Sequence, residues 1–140
     1  MKFICDAADK KTWFRIETEA EAEQESQLMD HAVKKHFLIE QEKAAGTYTP
    51  TSPIFIEQNI GLKAHIQREM ALFLTLRDAE GGGLATAMLP PGGKDNPDFR
   101  IVIVGVANRD PYPDHEAAIR DLGAHFGLTL DRERCFPYNR

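Results

Sequence analysis

Residues 70–89 read MALFLTLRDAEGGGLATAML, and this stretch predicts two antiparallel strands joined by a glycine-rich turn. Side chains alternate from residue 70 to residue 77, with Met70, Leu72, Leu74 and Leu76 on one face and Ala71, Phe73, Thr75 and Arg77 on the other. A two-residue period is typical of a half-buried strand. Residues 78–83 then reverse the chain, and residues 84–89 return it.

Two further segments extend this pair of strands into a sheet. Residues 99–107 (FRIVIVGVA) are apolar on both faces, which is typical of a central strand covered on both sides. Residues 2–5 and 12–17 are rich in β-forming residues and flank a polar connection, which predicts an N-terminal hairpin. Connections this short join antiparallel strands, because a parallel crossover needs a dozen or more residues.

The helical signals lie between the hairpin and the meander and near the C-terminus. Thr18 and Glu21 have the spacing of a capping box, and an amphipathic pattern continues to a stop at Gly46. This pattern predicts one long helix over residues 18–46. A second helix is predicted over residues 114–126, ending at Gly127. For residues 54–61 both helix and strand remain open.

Together these elements predict a single α+β domain spanning residues 1–140. Its sheet is antiparallel and about five-stranded, built from the N-terminal hairpin and a three-strand meander. A long helix follows the hairpin, and a C-terminal helix ends the fold.

Composition narrows the classes of protein to consider. The chain has 140 residues, of which 42% are hydrophobic, and it carries 17 basic against 22 acidic residues for a net charge of -5. This balance excludes a disordered chain and argues against nucleic acid as a partner. Two cysteines are too few for a disulfide scaffold, and no apolar run is long enough for a membrane span. The apolar stretch near the N-terminus is far shorter than a signal-peptide core, so we expect a cytoplasmic protein, and we expect no membrane partner.

The densest polar cluster occupies residues 108–116, between a predicted strand and a predicted helix. As a catalytic site it would use His115 as acid or base, Asp110 or Asp114 to orient it, and Arg109 to bind an anionic group. As a ligand site it would use Asn108, Arg109, Tyr112 and His115. Turn formation and helix capping explain the same residue types without any site.

Other chemistries find little support in the sequence. The glycines at residues 81–83 and 92–93 lack phosphate-loop spacing. His31 and His36 lie five residues apart, so on one helix they would point away from each other. No metal site and no cofactor are therefore predicted. Cys135, flanked by arginines, is a candidate reactive thiol, although a packed cysteine is the simpler interpretation.

These observations favour a non-catalytic module that binds a small ligand or a protein partner, with a homodimer as a further expectation. The alternative is a small enzyme that acts on an anionic metabolite through the 108–116 loop. Whether the chain has any catalytic activity stays open at the level of sequence.

Overall fold

Five strands form one antiparallel sheet, and their order in the sheet is their order along the chain. The computed structural model describes residues 1–48 and 69–137. The strands are β1 (Lys2–Ala7), β2 (Lys11–Ile16), β3 (Leu72–Arg77), β4 (Gly83–Leu89) and β5 (Val102–Gly105). The predicted α+β fold, with its hairpin and meander, is confirmed. The open assignment of residues 54–61 lies outside the described residues.

The predicted long helix is two helices, α1 (Glu19–Met29) and α2 (Val33–Ala45). Its start is confirmed, because the Glu21 amide donates to Thr18 Oγ1 and Glu21 Oε1 accepts from the Thr18 amide, each at 3.1 Å. The break follows Asp30, which adopts a left-handed conformation at φ 51°. Ser26 Oγ then accepts from the Lys34 amide at 2.9 Å and so satisfies one N–H at the start of α2. Periodicity alone does not reveal this break.

The C-terminal helix, α3 (Tyr112–Phe126), packs on the other face of the sheet. Trp13 anchors it from β2, because the indole Nε1–H donates to the Ala118 carbonyl at 2.8 Å. Leu74, Leu76 and Ile103 belong to the same buried cluster. Within the described residues, no helix is both long and apolar enough to cross a bilayer.

The alternation predicted for residues 70–77 is present, but β3 is buried on both faces instead of one. Leu72, Leu74 and Leu76 join the core under α3, whereas Phe73 packs with Phe37 of α2 at a ring distance of 5.4 Å. Two helical layers therefore sandwich the middle of the sheet. β3 is the central strand.

The apolar stretch at residues 99–107 contains an edge strand, which corrects the prediction of a central one. β5 has only four residues and lies at the end of the sheet. Its outer edge is covered by the C-terminal segment, because the Phe136 amide donates to the Ile101 carbonyl at 2.8 Å and the Ile103 amide donates to the Phe136 carbonyl at 3.2 Å. This cover protects the backbone of an edge strand. The apolar sequence follows from the faces of the strand, since Ile101 and Ile103 join the core under α3 and Val104 is buried on the opposite face.

Candidate functional site

A cleft of about 550 Å³ opens on the sheet face that α1 and α2 cover only in part. Its helical wall comes from the α1–α2 connection and the start of α2, and its floor comes from β3, β4 and β5. An outer wall is formed by Arg100, two residues before β5, by the turn after β5 and by the C-terminal segment. The side chains on these three surfaces are His31, Ala32, Val33, His36, Phe73, Thr86, Met88, Val102, Val104, Arg100, Asn108, Phe136 and Pro137.

The floor and the helical wall are mainly apolar. Phe73, Met88 and Val104 project from three neighbouring strands, and Val33 faces them from the first turn of α2. The strand residues share one face because side chains alternate along each strand. Such a surface, with a few polar groups at its margin, is typical of a small-molecule site.

Four polar side chains beside this cleft are joined by hydrogen bonds. They are Arg77, Glu25, Thr86 and His31, and we call them the Glu25 network. Arg77 Nη2 donates to Glu25 Oε1 at 2.5 Å, and the Thr86 hydroxyl donates to Glu25 Oε2 at 2.5 Å. Glu25 is fully buried and Thr86 nearly so. The network connects α1, β3 and β4 and reaches the cleft at His31, whose Nε2 lies 2.9 Å from the Thr86 hydroxyl oxygen.

The hydrogen bonds fix which nitrogen of His31 carries a proton. Thr86 has one hydroxyl hydrogen and donates it to Glu25. Its oxygen can therefore only accept from His31, so Nε2 is the protonated nitrogen. Burial lowers the pKa of His31 below its ordinary value of 6.5, against the opposing pull of the Glu25 carboxylate. His31 is thus held mostly neutral near pH 7.

Arg100 brings a positive charge to the outer wall. Its guanidinium lies over the Phe136 ring, with the guanidinium carbon 4.6 Å from the ring centroid. In the described part of the chain, no carboxylate lies within ion-pair distance of it. Stacking uses the flat face of the guanidinium and leaves its N–H edges to bind other groups.

The residues predicted from the 108–116 loop occupy several surroundings. Asn108 lines the cleft, whereas Arg109 is exposed and is not among the residues that line it. Asp110 forms an ion pair with Arg132 and also accepts from the Tyr112 amide at 3.0 Å. The buried hydroxyl of Tyr112 donates to the Leu130 carbonyl at 3.1 Å. Of this group, Asn108 is the residue that the structure brings to the cleft.

His115 lies on α3, on the opposite side of the sheet from the cleft. Lys11 Nζ donates to His115 Nδ1 at 3.0 Å and lies 3.3 Å from the backbone carbonyl of Asp114. Burial and then the charge of Lys11 lower the pKa of His115. Its ring nitrogen therefore contacts a lysine, whereas the sequence interpretation paired it with Asp110 or Asp114.

Within the described ranges, neither the two cysteines nor the metal-ligating residues form a second site. Cys5 and Cys135 are both free thiols, and Cys135 is fully buried. Burial raises the pKa of Cys135, which keeps it protonated despite the neighbouring Arg134. Across residues 1–48 and 69–137, no group of three or more histidine, cysteine or acidic side chains could hold a metal ion.

Sequence reasoning missed most of the cleft. His31 and His36 were expected to point apart on one helix, yet both line the cleft because the chain breaks between α1 and α2. The sequence did contain one signal of buried polar groups. Thr75 and Arg77 lie on the same face of β3 as Phe73, and the helices α1 and α2 bury that face.

Comparison with known proteins adds no identification. No protein-family model matches the chain, and neither the curated proteins nor the solved structures gave a match.

Proposed function

We propose that this chain is a cytoplasmic, non-catalytic domain that binds a small molecule in the cleft between α2 and β5. The observation that carries the proposal is the cleft itself. Its volume of about 550 Å³ lies within the range of about 300–1,000 Å³ that is typical of small-molecule sites. Its apolar floor would contribute binding energy, and the polar groups at its margin would orient the ligand.

The Glu25 network supports a binding role for the same place. A buried ion pair of this kind is weak evidence for stability, because an apolar replacement of similar volume is often as stable. Perturbed titratable groups beside a cavity are more frequent at functional sites. Here the network ends at His31, on the cleft wall, and holds its ring in one orientation.

The enzyme alternative, based on the 108–116 loop, stays a prediction. It requires His115 and Arg109 to act on one substrate together with Asp110 or Asp114. Asp110 pairs with Arg132 and His115 contacts Lys11, so their observed partners do not favour a shared site. A non-catalytic binding role for the cleft does not require the side chains of the 108–116 loop to meet at one site.

Binding of the neutral fluorescent dye Nile red tests the proposal, because it probes the cleft without involving charge. Val102→Trp would place a large side chain on the cleft floor, and Val106→Trp is the matched control at an exposed valine outside the lining. We expect saturable one-to-one binding to the wild type and to Val106→Trp, and none to Val102→Trp. Ala32→Trp, with Ala45→Trp as its control, repeats the test from exposed positions on α2 and its cap.

Absence of saturable binding to the wild type would contradict the proposal. Equal binding to Val102→Trp and Val106→Trp would also contradict it, since the dye would then occupy another surface. Circular dichroism establishes that each variant is folded before its binding is compared.

A further inference from the structure

The permanent charge in the described lining of the cleft has the opposite sign to the net charge of the chain. The chain carries a net charge of -5, yet no carboxylate is among the described side chains that line the cleft. Arg100 supplies a positive charge from its outer wall, whereas His31, on its helical wall, is held mostly neutral near pH 7 because burial lowers its pKa. A cationic side chain in a lining without a described carboxylate favours a negatively charged ligand.

The Glu25 network does not cancel this positive charge. The Glu25 carboxylate is fully buried, its charge is neutralised by Arg77, and its second oxygen accepts from Thr86. Asp30, at the end of α1, is the other acidic group that acts on His31, and it raises the histidine's pKa less than Glu25 does. Neither of these acidic side chains is among those lining the cleft.

The guanidinium of Arg100 is oriented in a way that suits the binding of a planar anion. Phe136 holds the guanidinium from one face, and Phe136 is itself held by backbone bonds to Ile101 and Ile103. A guanidinium fixed in this way presents parallel N–H groups, which match the two oxygens of a carboxylate. The volume left over Phe73, Met88 and Val104 accommodates an apolar body attached to that carboxylate.

We propose that the ligand of the cleft is an amphipathic carboxylate, whose acid group binds Arg100 and whose apolar body packs on Phe73, Met88 and Val104. This inference rests on the proposed function and adds the chemical class of the ligand. It assigns Arg100 as the residue that determines specificity for a negative charge. The loop at residues 108–116 contributes Asn108 to the same site.

Three probes that share one ring system test the charge preference. Naphthoate is anionic, naphthamide is neutral, and naphthylmethylamine is cationic at neutral pH. We expect naphthoate to bind at least about tenfold more tightly than naphthamide, as one charge-assisted hydrogen-bonded pair would give, and the amine to bind most weakly. Isothermal titration calorimetry at low salt measures all three.

Arg100→Gln supplies the decisive variant, and Arg120→Gln is its matched control. Arg120 is an exposed arginine on α3, paired with Glu116 on the opposite side of the sheet, so its removal makes the same change in net charge. Arg100→Gln should weaken naphthoate binding about tenfold and leave naphthamide binding unchanged. Arg120→Gln should leave both unchanged.

Several results of these titrations would overturn the carboxylate proposal. Equal affinities for naphthoate and naphthamide, or an unchanged naphthoate affinity in Arg100→Gln, overturn the carboxylate proposal. Absence of naphthoate binding at about 1 mM overturns it as well. The proposed function is judged separately, because Nile red reports occupation of the cleft by a neutral molecule. Binding of both probes that survives Val102→Trp overturns both proposals together.

Discussion

Glu25→Leu should lower the free energy of unfolding by about 3–5 kcal/mol, the usual cost of removing one partner from a buried ion pair. Leucine has a volume similar to that of glutamate, so the loss does not come from a cavity. It comes from Arg77, which is only 14% exposed and loses the carboxylate 2.5 Å away, and from the Thr86 hydroxyl, which loses its acceptor. Urea denaturation measures the change. With a slope of about 2 kcal/mol/M, the midpoint should fall by about 1.5–2.5 M.

Two further variants isolate the cause. Combining Glu25→Leu with Arg77→Met and Thr86→Val removes both groups that lose the carboxylate. It leaves the Nε2–H of the partly exposed His31 to bond to water, and it should recover much of the lost stability. Glu23→Leu makes the same replacement on the exposed side of α1, where Glu23 pairs with Lys34, and should change stability far less. The reasoning is refuted by a loss of less than about 1 kcal/mol in Glu25→Leu, or by a triple variant no more stable than the single one.

Three other substitutions test separate parts of the fold. Trp13→Phe removes the bond to the Ala118 carbonyl and part of a fully buried ring, so urea denaturation should show a loss of about 2 kcal/mol; an unchanged midpoint would contradict the anchoring role. Gly123→Ala should lower the thermal midpoint despite the better helix propensity of alanine, since its Cβ would lie 2.6 Å from the Leu128 carbonyl oxygen; a higher midpoint would show that α3 shifts easily. Because the pKa of His31 in the folded protein lies below 6.5, the unfolded chain binds a proton more readily, and stability should fall as the pH is lowered through that value. His31→Gln should reduce this slope in thermal scans between about pH 7.5 and about pH 5.5, and an unchanged slope would contradict the account.

The sheet was predictable because its signal is local. Alternation at residues 70–77 identified β3, and the Thr18–Glu21 spacing identified the start of α1. The prediction of a central strand was wrong for β5, whose outer edge pairs with a segment that is distant in the sequence. Residues 99–107 have the sequence of a central strand because Ile101 and Ile103 join the core and Val102 and Val104 face the cleft. The segment around Phe136 pairs with the outer edge of β5 from more than thirty residues away, and such pairing leaves no local trace.

The cleft was less predictable for the same reason. The polar side chains that line it come from the α1–α2 connection, α2, β4 and the segments before and after β5, and they meet only after the sheet forms. The break after Asp30 depends on a left-handed residue and on the Ser26 hydroxyl, both compatible with a continuous helix in sequence. Asn108 was identified because loops that follow strands are common places for binding residues.

The most direct test of the central claim is a methyl NMR titration of the full chain with naphthoate. We expect the methyl signals of Val33, Met88 and Val104 to shift together and to saturate with one affinity. The signals of Ile119 and Leu122, which are buried between α3 and the opposite face of the sheet, should stay in place. Shifts centred on those two residues, with the cleft methyls unchanged, would contradict the assignment of the cleft as the binding site.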